Sequence, residues 1–193
     1  FVFAYFSNTD PAELQARGPA FLLAQANAHL RLLDAPRGVS GAHIRVFNPS
    51  LDEDGFVSEH TLVQIVQDDM QFLVDSVTMA VNSLGHVAHW IVHPLLALAY
   101  DERHQLRSAM AADTQTQDAG SVESFISLEC DRLVSATDRE ALALELDRVL
   151  TDVRAAVSDW SPMLARLQAV RQASNGSPLS RTGEQEGASF LLW

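Results

Sequence analysis

Apolar positions recur along this chain with two periods, and the stretch 61–101 shows both. Thr61-Leu-Val-Gln-Ile-Val-Gln67 is a near-continuous apolar run of strand length. Asp68-Asp69 then breaks it. Leu73, Val77, Ala80, Val81 and Leu84 follow on one stripe at helical spacing, and Gly85 suits the position just past a helix end. Residues 87–100 return to strand character, interrupted at Pro94. Upstream, 43–48 alternate with Ile44 and Val46 on one side, and a polar, acidic turn over Pro49–Gly55 joins them to a strand over Val57–Gln67. Downstream, 124–131 alternate cleanly: Ile126, Leu128 and Cys130 point one way, Phe125, Ser127, Glu129 and Asp131 the other. Thr137-Asp-Arg-Glu140 has the form of a capping box. It opens a long helix with Leu142, Leu146, Val149, Leu150, Val153, Val157 and Trp160 on one face, continuing past Pro162 to about Ala173.

The front of the chain is helical. Residues 1–6 are apolar and aromatic. Asp10-Pro11 with Glu13 signals a helix start, Gly18-Pro19 interrupts it, and Leu22, Ala26, His29, Leu30 and Leu33 form the next stripe until Ala35-Pro36-Arg37-Gly38. Residues 101–120 show no period and read as a loop; 174–188 are Ser/Gly/Gln/Glu-rich and read as a linker. The order is helices, β, β, α, β, (β), β, α. Two stripe-faced helices on one side of a mainly antiparallel sheet make an α+β, ferredoxin-like sandwich. The expected organisation is an N-terminal helical arm over 1–38, the α/β domain over 39–173, and a linker with the start of a further segment over 174–193. The absence of an initial Met and the apolar ending Phe190-Leu-Leu-Trp193 suggest a piece from the front of a longer protein.

Composition narrows the function classes. The net charge is −12, and Lys and Arg are not clustered, which disfavours nucleic acid and anionic membranes as partners. No stretch is apolar for long enough to span a bilayer. The single cysteine excludes an internal disulfide and suits a reducing, cytoplasmic setting. Alternating inward with Ile126 and Leu128, Cys130 reads as a buried structural thiol.

The candidate chemistry centres on Asp68, Asp69, Met70, Gln71 and Phe72. An Asp ahead of a helix is in the first place an N-cap, worth ~1 kcal/mol. The functional reading is a site for a zwitterion: a carboxylate on backbone N–H groups near Met70–Phe72, and an ammonium on an acidic side chain. Two adjacent acids repel a pure anion. His89 and His93 are four apart, which is ligand spacing on a helix. They lie on a strand without a carboxylate cluster, so no metal site is expected. His89, Ile91 and His93 share one face of that strand, opposite Trp90 and Val92. If Trp90 and Val92 face the helices, the histidines lie on an open sheet face that Phe125 and Glu129 join. Such a mixed face suggests contact with another domain or protomer, or plain exposure to solvent. Asp52-Glu53-Asp54-Gly55 lacks the spacing of a calcium loop and reads as a turn. No G-x-S-x-G, P-loop or G-x-G-x-x-G occurs, and no catalytic constellation emerges.

Taken together, Val46-Phe-Asn-Pro49, Asp54-Gly55, the run Val66-Gln-Asp-Asp-Met-Gln-Phe-Leu-Val-Asp-Ser-Val-Thr-Met79 and Ile91-Val-His-Pro94 resemble the N-terminal region of the large bacterial NAD-specific glutamate dehydrogenases. The resemblance spans roughly residues 1 to 170 and is most specific from Asp68 to Met79. In that family a long regulatory front with ACT-like domains precedes the dehydrogenase core. The resemblance implies an ACT-like fold, with amino-acid binding where the first strand meets the first helix, at Asp68 to Phe72. A Gly commonly sits there, and the dehydrogenase pattern often has Pro; this chain has Gln71, which crowds the pocket and tilts the expectation toward assembly. The implied parent enzyme oxidatively deaminates L-glutamate to 2-oxoglutarate with NAD. For this fragment no catalytic residue and no cofactor is expected. Its expected partners are the remaining domains of the same chain, further copies in a homo-oligomer, and an amino-acid effector.

Overall fold

The structure, a computed structural model, describes residues 1–102, 106–112 and 121–175. The chain divides into two compact units, Phe1–Arg154 and the part from Ala155 onward. The first holds the whole sheet.

Helix α1 (Val2–Tyr5) leads to α2 (Pro11–Arg17), which Asp10 caps by accepting the Ala12 N–H at 2.8 Å. Gly18, at φ 78°, separates α2 from α3 (Pro19–Arg31), and a 3-10 turn follows over Leu32–Asp34. Strand β1 (His43–Phe47), the one-turn helix α4 (Leu51–Asp54) and β2 (Thr61–Asp68) come next. Then come α5 (Leu73–Ser83), β3 (Ala88–Val92), β4 (Leu95–Tyr100), β5 (Leu106–Ala111), β6 (Ser121–Cys130) and α6 (Ala136–Asn175). Gly85 takes the left-handed conformation past α5, as its position suggests.

The sheet is antiparallel throughout, in the order β1-β2-β6-β4-β5. β6 is its spine. One edge pairs with β2 over eight residues; the other pairs with β3 and then with β4. Pro94 splits the expected long strand into β3 and β4, yet its carbonyl still accepts the Phe125 N–H at 3.0 Å, so both halves stay on one partner.

The sheet is covered on both faces. On one, Val63, Ile65, Ile126, Leu128 and Cys130 pack with Leu73, Val77, Ala80 and Val81 of α5 and Leu142, Leu146 and Leu150 of α6. On the other, Val66, Trp90, Val92, Leu96, Leu98 and Phe125 pack with Tyr5, Phe6, Ala26 and Leu32 from the N-terminal helices. The α+β sandwich with a mainly antiparallel sheet and two helices on one face is therefore the observed fold. The second face is not open, because the apolar sides of α1 and α3 close it.

Other differences are local. The supposed loop 101–120 contains β5, whose sequence Leu-Arg-Ser-Ala-Met-Ala does not alternate and buries only Ala109; backbone pairing with β4 makes it a strand. The rest of that stretch, 103–105 and 113–120, and the linker and terminal segment beyond Asn175 lie outside the described residues. The cap of α6 is Ser135, whose Oγ accepts the Asp138 N–H, two residues ahead of the expected Thr137. Asp54 does not face solvent in a simple turn. It is buried, bonded to Arg45 at 2.8 Å and to the Ser50 N–H at 3.1 Å.

Candidate functional site

β2 ends at Asp68 and α5 begins at Leu73, so Asp69–Phe72 make the whole strand-to-helix turn. The residue that precedes the helix is Phe72, at φ 69° and ψ 8°, and it offers no side-chain cap. Among the described residues it is the one non-glycine with positive φ. For a bulky residue that conformation costs on the order of 1 kcal/mol or more. Neither Asp is the cap: the Asp68 carboxylate pairs with Arg154 of α6 at 2.9 Å, and Asp69 is exposed. The first N–H groups of α5 therefore have no side-chain acceptor. Gln71 is exposed, Phe72 is 64% exposed, and Met70 is half-buried against the apolar core.

Just before the turn, Gln67 breaks the apolar rule. It follows Val63 and Ile65 on the face that α5 and α6 cover, and it is fully buried. Among the described residues neither its amide nitrogen nor its amide oxygen has a hydrogen-bond partner. Opposite it in β6 stands Ser124, also fully buried, whose Oγ bonds His93 Nε2 at 2.7 Å. Burial pushes the His93 imidazole pKa down, and the nearby Asp69 carboxylate pulls it partly back. The Arg154 guanidinium, bonded to Asp68 and to the Ser40 carbonyl at 2.8 Å, has a buried Nη2 with no acceptor among the described residues.

The end of β2 thus gathers donors without acceptors: Gln67 Nε2, Arg154 Nη2 and the first turn of α5. Asp69 and Gln67 Oε1 supply acceptors. That set matches a zwitterion better than a bare anion.

The second predicted set does not assemble. His89 Nε2 bonds Asp131 at 2.8 Å, and its ring lies 4.5 Å from that of His60. The Asp131 carboxyl is held below the usual range by the Val87 N–H and by His89. Ile91 pairs with Leu128 in register and packs on the α5–α6 face. Trp90 pairs with Glu129, so Phe125 and Glu129 lie on its side, under the N-terminal helices. The correction follows from register: these five residues do not share one open face. Phe125 is buried beside the Tyr5 and His29 rings, and Glu129 is buried in a two-pronged bond from Arg17, at 2.7 and 2.9 Å. His93 instead joins the first site, beside Asp69. Cys130 is buried, and burial pushes its thiol up to about 11.

Sequence reasoning missed Gln67, Ser124 and Arg154 as neighbours of the turn. Gln67 carried a signal: it is polar at an inward position of an apolar alternation. Elsewhere, an open cleft of about 620 Å³ is lined by Asn27, Arg31, Asp34 and Tyr100 among others, and none of the predicted site residues lines it. Among the described residues no helix is long and apolar enough to cross a membrane.

Comparison with known proteins bears on this geometry. The profile of the family described as "Glutamate dehydrogenase, ACT1 domain" matches residues 1–146. The chain is 35% identical over 153 residues to an NAD-specific glutamate dehydrogenase of Halomonas elongata. It is 32% identical over 152 residues to an NAD-specific glutamate dehydrogenase of Pseudomonas aeruginosa. Each alignment covers 78% of this chain and 9% of the relative, so the chain spans under a tenth of their length. No solved structure matches the chain.

Proposed function

The chain belongs to the glutamate dehydrogenase ACT1-domain family, and from that premise we propose that it is a non-catalytic regulatory and assembly module of a cytoplasmic NAD-dependent glutamate dehydrogenase. The parent enzyme would oxidatively deaminate L-glutamate to 2-oxoglutarate, with NAD and the reacting groups held by other domains. The regulatory half of the reading places an amino-acid effector at Asp68, Asp69, Met70, Gln71 and Phe72.

One observation carries the effector reading: the buried Gln67 amide, with no partner on either atom among the described residues, at the foot of the strand-to-helix turn. Leaving a buried amide unsatisfied costs about 1–3 kcal/mol, and a bound ligand would relieve that cost. Titration calorimetry of the chain with the common amino acids tests it. Binding by one of them, lost in Gln67→Leu, is the expected result. No heat with any amino acid would remove the effector reading and leave assembly. Glutamate turnover by the chain alone would overturn the non-catalytic assignment. Assembly has its own support, since Gln71 and Phe72 present large side chains outward at the turn, where a second protein surface would meet them.

A further inference from the structure

Gln67 differs from the other fully buried glutamines. Gln25 and Gln64 each use the amide nitrogen inside the fold, Gln25 on Ser127 Oγ and Gln64 on the Gln25 carbonyl. Gln67 uses neither end among the described residues. It stands in the row Val63, Ile65, Gln67 that faces α5 and α6, at the end nearest the strand-to-helix turn. Ser124, opposite it in β6, bonds His93 Nε2 rather than this amide. An uncharged donor and an uncharged acceptor are thus left side by side on one group, sealed from solvent.

Ligand groups meet such a pair differently. A carboxylate offers only acceptors; it satisfies Nε2 and sets its charge against Oε1. An ammonium or guanidinium offers only donors and leaves Nε2 bare. Either also brings a charge to a fully buried amide, at a desolvation cost that a neutral group avoids. An apolar group satisfies neither atom. A second carboxamide satisfies both, because its own donor and acceptor have the same spacing. We propose that the effector held at this turn is an α-amino acid with a primary carboxamide side chain, glutamine or asparagine, whose amide pairs with that of Gln67 through two N–H···O bonds. The inference rests on the effector half of the proposed function and adds which side chain the site reads. The rest of the ligand takes what the turn leaves over. Its carboxylate falls to the first N–H groups of α5, which no side chain caps, and to Arg154 Nη2; its ammonium falls to the exposed Asp69.

Titration calorimetry of the chain with glutamine, asparagine, glutamate, aspartate and the γ-methyl ester of glutamate is the test. The ester keeps the neutral charge and the acceptor of glutamine and lacks only the donor. One of the two amides should bind about tenfold or more tightly than its acid, and glutamine more tightly than the ester, because a buried group left unpaired rejects the analogue that cannot meet it. Gln67→Leu should abolish that preference, and Gln67→Glu, which keeps the size and loses the donor, should also abolish it. In a nitrogen–proton spectrum the side-chain NH2 pair missing from Gln67→Leu identifies Gln67. That pair should shift on adding the preferred amide and stay in place with glutamate. An amino acid that binds without preferring the amide would overturn this inference and leave the effector reading standing. A preference that survives in both Gln67 variants would overturn the role of Gln67. Silence from every amino acid would remove the effector reading itself, and this inference with it.

Discussion

The two faces of the sheet are buried by different means. Toward α5 and α6 the sheet offers Val63, Ile65, Ile126, Leu128 and Cys130, and the helices answer with leucine, valine and alanine. Toward α1, α2 and α3 it offers Phe125 and Trp90 but also Gln64, Ser127 and Glu129, and the helices answer with matched polar groups. Gln25 Nε2 donates to Ser127 Oγ at 3.0 Å, and Gln64 Nε2 to the Gln25 carbonyl at 3.2 Å. Tyr5 Oη and His29 Nδ1 lie 2.6 Å apart, with His29 Nε2 against the Ile65 carbonyl at 3.1 Å. Arg17 grips Glu129 and stacks 3.7 Å over Trp90, whose indole N–H donates to Glu13 at 2.7 Å. Arg37 Nη2 donates to Glu123 Oε1 at 2.9 Å. The apolar face tolerates many arrangements, because hydrophobic attraction has no direction. The polar face constrains the docking of the N-terminal helices more tightly, because its buried bonds are directional, although Gln25 Oε1 and Gln64 Oε1 are left without a partner among the described residues.

Four changes probe that contrast, and the first should cost the most. Leu146→Ala removes a fully buried side chain from the apolar face and should lower the unfolding free energy by about 2–5 kcal/mol, read by chemical denaturation. On the polar face, Arg17→Ala leaves the nearly inaccessible Glu129 carboxylate without its partner and should cost about 3 kcal/mol at neutral pH. Replacing both by Met and Leu should cost much less. If the double variant is as damaged as the single one, the pair contributes more than mutual compensation.

The third change concerns pH. Burial drives the His29 pKa down to about 3, from 6.5 in an exposed chain. Above pH 6.5 both folded and unfolded forms hold it neutral and it adds no pH dependence. Below 6.5 the unfolded chain takes up a proton that the folded one refuses. Stability should then fall by up to about 1.4 kcal/mol per pH unit until the folded pKa is reached. His29→Gln should therefore lose about 2 kcal/mol less than the native chain between pH 6.5 and 5. Equal slopes in the two proteins would mean the imidazole is not sealed under α1. The smallest effect is of opposite sign. Gln67→Leu makes the α5–α6 face uniformly apolar and should raise stability by about 1 kcal/mol, and a loss instead would reveal a partner for that amide.

The α5–α6 face was legible because its rules are local. Leu73 to Leu84 and Leu142 to Leu150 fall at helical spacing, and Ile126, Leu128 and Cys130 alternate, so period alone names the buried side. The Asp68–Phe72 turn was legible as a place, but not as a conformation. Its helix starts at Leu73, three positions later than an Asp69 cap would put it, and Asp68 pairs instead with Arg154, 86 residues away. The polar face was illegible: Glu129 in a strand predicts a solvent-facing carboxylate until Arg17, 112 residues earlier, is brought over it.

The sequence by itself determined the longer helices, the strands other than β5 and the identity of one buried face, since hydrophobic period acts between near neighbours and needs no knowledge of where distant segments go. Only the tertiary structure decided that the second face is closed, that Phe125 and Glu129 lie inside it, and that Gln67 stands opposite Ser124, which bonds His93 beside the turn. Those outcomes rest on strand register and on directional bonds between residues far apart in the chain, and neither leaves a periodic trace in the sequence.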